Sequence, residues 1–310
     1  MSLTNRERIM TMKPVTLDTL KELLASDQPK KVILDTDAYN EVDDQFCIAY
    51  CMRAKEKIDL LSINAAPFLN RRSTSPADGM EQSYNEIFKI MRLVDPNASI
   101  PVYRGSAAFM TNRQEIIPSP AATNIIETVK ASEEPVIIIA IGAITNVASA
   151  LLQCPELAHH CAVIWLGGHA HHYPHAREFN LREDIPAAQV VFDSGVPLLQ
   201  VPCCGVCSEF VTSVPELEYY LRGKNKLCDY LVDNVSHEIG NRYAASRIIW
   251  DVTAAAPLIC PAGCDIVQLP TPILTSEGRY AFDTARHPYL YVRHLNRDRI
   301  YADLFQRLSE

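Results

Sequence analysis

Short apolar runs alternate with amphipathic stretches along most of this 310-residue chain. Runs rich in β-branched residues predict buried strands, and stretches with apolar residues every three or four positions predict helices. The predicted strands are 32–34, 58–65, 136–141, 162–166 and 196–201. The predicted helices are 17–25, 45–55, 79–94, 146–152 and 302–308, with a hairpin turning at Glu277 and Gly278 before the last.

This alternation predicts an α/β fold, in which a mostly parallel, Rossmann-like central sheet is flanked by helices on both faces. We expect one domain over residues 1–310, of which residues 1–29 form an N-terminal extension and helix. In such sheets, ligands bind beyond the carboxyl ends of the strands. Motifs that follow different strands should therefore converge in space.

Composition narrows the classes of function. A hydrophobic content of 48% supports a full core, and the net charge of -8 without a Lys/Arg-rich block argues against nucleic-acid binding. No apolar run approaches the roughly 18–20 residues that span a bilayer. The N-terminus lacks an apolar segment of the signal-peptide type, so we expect cytoplasmic residence and no membrane partner.

The ten cysteines are scattered through a large apolar chain, which favours reduced core thiols over disulfides. Cys203, Cys204 and Cys207 form a C-C-x-x-C cluster after a predicted strand. A zinc site would need a second pair of ligands, and Cys228 alone does not supply it. The role of this cluster stays open.

An acidic cluster follows the first predicted strand. Asp35 and Asp37 end the apolar run, and Asp43 and Asp44 follow after a short loop. Four carboxylates at the end of one strand repel each other unless a cation lies among them, and hard oxygen ligands suit calcium or magnesium. Alternatively, Asp43 and Asp44 cap the helix beginning near Gln45, which would explain one of them but not all four.

Two later turns carry further candidate ligands. The strand ending at Ile141 is followed by a glycine turn, where a main-chain carbonyl could face a metal and Asn146 could cap the next helix. Asp251 follows Trp250 after an apolar stretch. It is either a last metal ligand or the N-cap of a helix over 252–258.

The loop 167–180 is rich in histidine. It could bind zinc or nickel, transfer protons over an active site, or be an ordinary surface loop. Glu178 and Asn180, on either side of Phe179, suit hydrogen bonding to sugar hydroxyls. The histidines are His169, His171, His172 and His175.

In their order along the chain these motifs resemble the nucleoside hydrolase family, of the inosine–uridine-preferring type. The matching segments are Asp35-Thr36-Asp37, Asp43-Asp44, Gly142 to Asn146, Gly167-Gly168, Glu178-Phe179-Asn180 and Trp250-Asp251, together with Val102 to Gly105. The resemblance implies the nucleoside hydrolase fold and calcium-dependent hydrolysis of the N-glycosidic bond of ribonucleosides. It also implies a small-molecule nucleoside substrate and a homodimer or homotetramer.

The resemblance further implies a calcium ion held by Asp37, Asp44, Asp251 and the main-chain carbonyl of Ile141, with Asp35 behind them. Asp37 would be the general base for a water whose pKa the calcium lowers. The ribose hydroxyls would meet Asp43, Glu178, Asn180 and an asparagine near the second strand, for which Asn70 fits best.

Two departures from the family pattern bear on the chemistry. The loop between the aspartate pairs has five residues, Ala38 to Val42, where the family usually has three beginning Pro-Gly. Trp250 stands where the family places a histidine that protonates the leaving base. An indole N–H is not an acid at neutral pH, although the ring can stack on a base. The alternative proton donors are His169, His171, His172, His175 and Arg247.

Two other functions remain open from the sequence. A non-catalytic or differently specific ribosyl-binding protein on the same fold would explain Trp250. A phosphohydrolase of the haloacid-dehalogenase type also begins with a strand and D-x-D. However, it has no use for Asp43 and Asp44, and Tyr39 stands where it places Thr or Val.

Overall fold

The computed structural model describes residues 13–310, so the predicted N-terminal extension can be compared only from residue 13 onward. In this part of the chain the strands are β1 (Lys30–Thr36), β2 (Ile58–Ala65), β3 (Val102–Arg104), β4 (Val136–Ala140), β5 (Cys161–Leu166), β6 (Leu198–Val201), β7 (Val211–Thr212), β8 (Arg247–Ile248), β9 (Cys264–Pro270), β10 (Ile273–Leu274), β11 (Tyr280–Ala281) and β12 (Pro288–Leu295).

The helices connect these strands. They are α1 (Leu17–Ala25), α2 (Asp44–Arg53), α3 (Pro76–Val94), α4 (Pro120–Ala131), α5 (Thr145–Gln153), α6 (Phe179–Glu183), α7 (Ile185–Asp193), α8 (Val214–Tyr220), α9 (Lys226–Ile239), α10 (Val252–Ile259) and α11 (Arg297–Ser309). Within residues 13–310, no helix is both long enough and apolar enough to span a membrane.

The main sheet has the strand order β3-β2-β1-β4-β5-β6-β12-β9. All neighbouring pairs are parallel except β12 with β9 at one edge, which is antiparallel. The predicted single-domain α/β architecture is therefore confirmed. Two short antiparallel pairs, β10 with β11 and β7 with β8, lie outside the main sheet, and the first of these is the predicted hairpin.

Both faces of the sheet are buried. Along β1, Val32 and Leu34 belong to one hydrophobic cluster and Ile33 to another, and β4 divides its residues in the same alternating way. Strands buried on both sides read as continuous apolar runs, which is why the central strands could be predicted from the sequence.

The carboxyl ends of β1, β2 and β4 meet at one edge of the sheet. Asp35 pairs in register with Asn64 on β2 and with Ala140 on β4. The chain then turns at Gly142, where an added Cβ would lie 3.1 Å from Cγ of Asp37. Glycine therefore lets the backbone after β4 approach the acidic residues closely.

Asn146 joins these strand ends instead of capping a helix. Its Nδ2 donates to Asp35 Oδ1 (2.8 Å) and to the carbonyl of Ala65 (3.3 Å). Its Oδ1 accepts from the backbone N–H and the hydroxyl of Ser106, at 2.8 and 2.9 Å. The N-cap of α5 is Ile144, so the suggestion that Asn146 caps this helix is wrong.

We predict that Asn146→Ala lowers the free energy of unfolding by about 2–3 kcal/mol, because it leaves several buried polar groups without partners. Urea denaturation measures this change. Asn85→Ala is the matched control, since Asn85 is exposed and donates only to a helix carbonyl, and it should change stability by less than about 0.5 kcal/mol. Equal losses in the two variants would contradict the role given to Asn146.

Candidate active site

A cavity of about 390 Å³ opens beyond the carboxyl ends of the central strands. Its position is the one that parallel α/β sheets use for ligands. It is lined by Asp37, Asn40, Glu41, Asp43, Asp44, Ile141, Leu166, His169, Arg177, Glu178, Phe179, Asn180, Arg182, Cys203, Cys204, Trp250 and Asp251.

The buried end of this cavity is formed by four aspartates, Asp37, Asp43, Asp44 and Asp251. The carboxyl groups of Asp37 and Asp251 both lie within hydrogen-bonding distance of that of Asp44. Asp44 Oδ1 also accepts from the hydroxyl of Thr36 at 2.5 Å. Among the described residues, Asp43, Asp44 and Asp251 are the group of metal-ligating side chains whose atoms lie within 4.8 Å of one another.

The acidic cluster is electrostatically unfavourable without a counter-charge. Burial, and then the charge of Asp44, raise the pKa of Asp37 well above its usual range. Burial, and then the charge of Asp43, do the same to the pKa of Asp251. Burial also raises the pKa of Asp44 to about 6, against the hydroxyl of Thr36, which lowers it. A cation among these groups would favour their ionised forms.

The helix-capping alternative is wrong for these side chains. Asp43 and Asp251 occupy the N-cap positions of α2 and α10, but neither side chain bonds to its helix. Asp43 Oδ2 instead accepts from the backbone N–H of Trp250 at 3.0 Å. The two helix starts therefore deliver carboxylates into the cavity.

The donor set of the cluster fits a hard divalent cation. The oxygens Asp37 Oδ2 and Asp43 Oδ1 are buried without a hydrogen-bond partner, and so is Asp35 Oδ2 behind them. Ile141 lines the same end of the cavity, where its carbonyl accepts from Asn180 Nδ2 at 3.0 Å. Carboxylate and carbonyl oxygens are ligands that calcium and magnesium prefer.

Asp35 lies directly behind the cluster, fully buried. Burial raises its pKa to about 7, against the hydrogen bond from Asn146, which lowers it. It does not line the cavity, a position consistent with the supporting role predicted for it.

Glu178 and Asn180 also line the cavity. Glu178 caps α6, and its carboxylate accepts from the backbone N–H groups of Gly168, Asn180 and Leu181. Both donors of the Asn180 amide are used, by the carbonyls of Ile141 and Leu166. The Asn180 Oδ1 atom is then the part of the amide that could accept from a hydroxyl.

The candidate proton donors separate clearly. His169 lines the cavity, and His175 does not. The centroids of these two imidazole rings are 5.5 Å apart. His171 is turned toward tyrosines, with its Nε2 atom 2.9 Å from the hydroxyl of Tyr289, and His172 is exposed. Of the four histidines, only His169 lines this cavity.

Arg247 also lies outside the lining. Its guanidinium pairs with Glu41, and one nitrogen is 3.9 Å from Asp43 Oδ1. These contacts hold Arg247 behind the acidic wall, where it partly offsets the charge of Asp43.

Asn70 does not line the cavity. Its Nδ2 donates to Asn40 Oδ1 at 2.6 Å, and Asn40, like Asn180, lines the cavity. Asn40 belongs to the five-residue loop that departs from the family pattern, so the pattern gave no direct signal for it. Sequence reasoning also missed Glu41, Arg177 and Arg182.

The cysteine cluster adjoins the cavity. Cys203 and Cys204 line it, and the Cys203 thiol hydrogen-bonds the carboxylate of Glu178. Cys207 is buried beside the hydroxyl of Thr253 at 3.1 Å. All ten cysteines are unpaired, and among the described residues no three metal-ligating atoms converge here.

Comparisons with known proteins cover most of the chain. A sequence profile of the inosine-uridine preferring nucleoside hydrolase family matches residues 32–299. The non-specific ribonucleoside hydrolase RihC of Klebsiella pneumoniae is 26% identical over 253 residues, which cover 74% of this chain and 79% of that protein. RihC of Escherichia fergusonii is 28% identical over 213 residues, covering 60% and 67%.

Solved structures agree in fold. The purine-preferring ribonucleoside hydrolase of Gardnerella vaginalis has a TM-score of 0.73 at 20% identity, covering 90% of this chain and 98% of that one. The inosine-uridine preferring nucleoside hydrolase of Bacillus anthracis has a TM-score of 0.71 at 18% identity, covering 90% and 99%. The predicted fold, family and class of enzyme are thereby confirmed. This chain belongs to the inosine-uridine preferring nucleoside hydrolase family, whose members hydrolyse N-glycosidic bonds.

Proposed function

We propose that this protein hydrolyses the N-glycosidic bond of ribonucleosides, giving ribose and the free base, and that it requires calcium. The observation that carries the proposal is the buried cluster of Asp37, Asp43, Asp44 and Asp251 at the end of the cavity. Such a cluster is tolerated when a cation lies within it, and its oxygens are those that calcium prefers.

Asp37, Asp44, Asp251 and the Ile141 carbonyl would hold the calcium ion. When bound, the ion would lower the pKa of a water molecule and so supply a nucleophile near neutral pH. Asp37 has an oxygen without another partner, which suits it to take the proton of the attacking water. The remaining carboxylates would favour the positive charge that develops on the sugar ring.

The ribose would lie beside the acidic end of the cavity. Asp43, Glu178 and Asn180 line this space and present oxygens to ribose hydroxyls, and Asn40 takes the place expected for Asn70. Trp250 also lines the cavity and offers an aromatic face to a base. Sugar and base would thus contact different parts of one cavity.

We assign protonation of the leaving base to His169, since it alone of the predicted candidates lines the cavity. Burial, and then the nearby His175, lower its pKa. The fraction of His169 that is protonated, and so able to donate, therefore rises as the pH falls below the usual pKa of histidine.

The predicted homodimer or homotetramer and cytoplasmic residence stay predictions. A ribosyl-binding protein without turnover remains the alternative function, because Trp250 replaces the usual histidine. Calcium-dependent nucleoside binding without release of ribose would favour it.

We predict that Asp37→Asn lowers kcat for ribose release by about 100- to 10,000-fold, because the general base is lost. A panel of purine and pyrimidine nucleosides, with calcium or with chelator, measures this. Asp59→Asn is the matched control, since Asp59 is exposed on β2, and it should keep wild-type kcat. Full activity of Asp37→Asn, or release unaffected by chelator, would contradict the proposal.

We predict that calcium stabilises the wild type by about 2.7 kcal/mol at a concentration a hundredfold above its Kd. Asp251→Asn should lose most of this gain, yet be more stable than the wild type in chelator, because one buried like charge is removed. Chemical denaturation with and without calcium measures both effects. Asp298→Asn, at a side chain 88% exposed, serves as the control. The same calcium gain in Asp251→Asn and wild type would refute the assigned site.

We predict that His169→Gln lowers kcat for inosine by about 100-fold. The kcat for p-nitrophenyl riboside should be nearly unchanged, because nitrophenolate departs without a proton. For the wild type, kcat with inosine should rise as the pH falls toward the lowered pKa of His169. His172→Gln is the control, since His172 is exposed outside the cavity. Equal losses on both substrates would show that His169 has another role.

A further inference from the structure

Two arginines line the open end of the cavity. Arg177 and Arg182 are both exposed, whereas the aspartates at the other end are buried. The proposed chemistry of ribose and water uses the buried end and gives these guanidinium groups no role. They lie where a group attached to the ribose would extend toward solvent.

Arg177 is held in place by the hairpin β10–β11. An added Cβ at Gly278 would lie 2.4 Å from Cγ of Arg177, so the arginine stem lies directly on this glycine. The hairpin also fixes the backbone around it. Ala176 N–H donates to the Gly278 carbonyl at 2.8 Å, and Arg279 Nη1 donates to the Pro174 carbonyl at 2.7 Å. Contacts with the hairpin therefore hold the aliphatic stem of Arg177 and the backbone beside it in place.

Arg182 is placed by α6. Its guanidinium carbon lies 5.1 Å from the ring centroid of Phe179, which also lines the cavity. A guanidinium over an aromatic face keeps its donors free at its edge. Both arginines line the same cavity.

Arg177 and Arg182 form no ion pair with a carboxylate of residues 13–310, although the charge of Arg182 acts on nearby Glu183, whose pKa burial raises to about 8 against it. The two nearest carboxylates in sequence also accept backbone hydrogen bonds. Glu178 accepts three backbone N–H groups at the start of α6, and Glu183 accepts the N–H of Leu69 at 3.2 and 3.1 Å. Two exposed guanidinium groups that line one cavity are suited to bind an oxyanion, because their fork of N–H donors matches carboxylate and phosphate.

We propose that the ribosyl substrate of this enzyme carries an anionic group, a phosphate on the ribose or a carboxylate on the base, which Arg177 and Arg182 bind. This inference rests on the proposed ribosyl hydrolysis and narrows its substrate class. The two sources share one chemistry, an oxyanion at the open end of the cavity. A neutral nucleoside would leave both guanidinium groups without a partner.

Release of free base from uridine, uridine 5′-monophosphate and orotidine tests this, since the three share a ribosyl pyrimidine and differ in charge. The variants are Arg177→Gln and Arg182→Gln. Arg92→Gln is the control, because Arg92 is exposed on α3 outside the cavity. We expect wild-type kcat/KM to favour one anionic substrate over uridine by at least about tenfold. The ratio of kcat/KM for the anionic substrate to kcat/KM for uridine should fall about tenfold in Arg177→Gln and in Arg182→Gln. It should stay at the wild-type value in Arg92→Gln.

The substrate that shows the preference identifies the source: uridine 5′-monophosphate for a phosphate, orotidine for a base carboxylate. Uridine turned over as well as both anions would overturn the inference while ribosyl hydrolysis stands. A preference that survives both cavity variants would overturn it too.

No base release from any of the three, together with none from the purine and pyrimidine panel described above, would instead refute the proposed function. Calorimetric titration of the same three compounds would then decide the inference. Tighter binding of an anion that weakens in Arg177→Gln and Arg182→Gln supports it, and equal binding of all three overturns it.

Discussion

The mutual repulsion of buried carboxylates at the carboxyl end of β1 is the constraint on which the site depends. Asp37 and Asp44 lie between the end of β1 and the start of α2, and Asp251 comes from the distant start of α10, yet the three carboxyl groups nearly touch. Burying like charges at this distance costs several kcal/mol per ion unless a cation lies among them. A cation bound among the carboxylates can offset this free energy cost, which otherwise only the packing of the fold would offset.

The rest of the structure serves to hold those oxygens in place. The parallel register aligns the ends of β1, β2 and β4, and Asn146 joins them through hydrogen bonds to Asp35 and the Ala65 carbonyl. Gly142 lets the backbone after β4 approach Asp37. The carboxylate of Glu178 fixes the start of α6 by accepting from the backbone N–H groups of Asn180 and Leu181. The side chains of Asn146 and Glu178 are buried because their hydrogen bonds hold the backbone and Asp35 in position.

Much of this arrangement could be predicted from the sequence, because strands buried on both faces read as unbroken apolar runs and acids stand out at their ends. The edge strand β9 and its neighbour β12 were missed, since both mix buried or half-buried residues with exposed ones and neither reads as a continuous apolar run. Asn40 was missed because the sequence does not show that Asn70 bonds to it instead of facing the cavity. The four histidines look alike in sequence, and only tertiary contacts distinguish His169 from His171.

The most direct test of this account is a crystal structure grown with calcium and ribose, with the ion located by anomalous scattering. We predict one strong peak within coordinating distance of Asp37, Asp44 and Asp251, with ribose hydroxyls facing Asp43 and Asn180. A cluster without a peak at saturating calcium, or a ribose bound away from these carboxylates, would contradict the claim that a cation at the end of β1 organises the site.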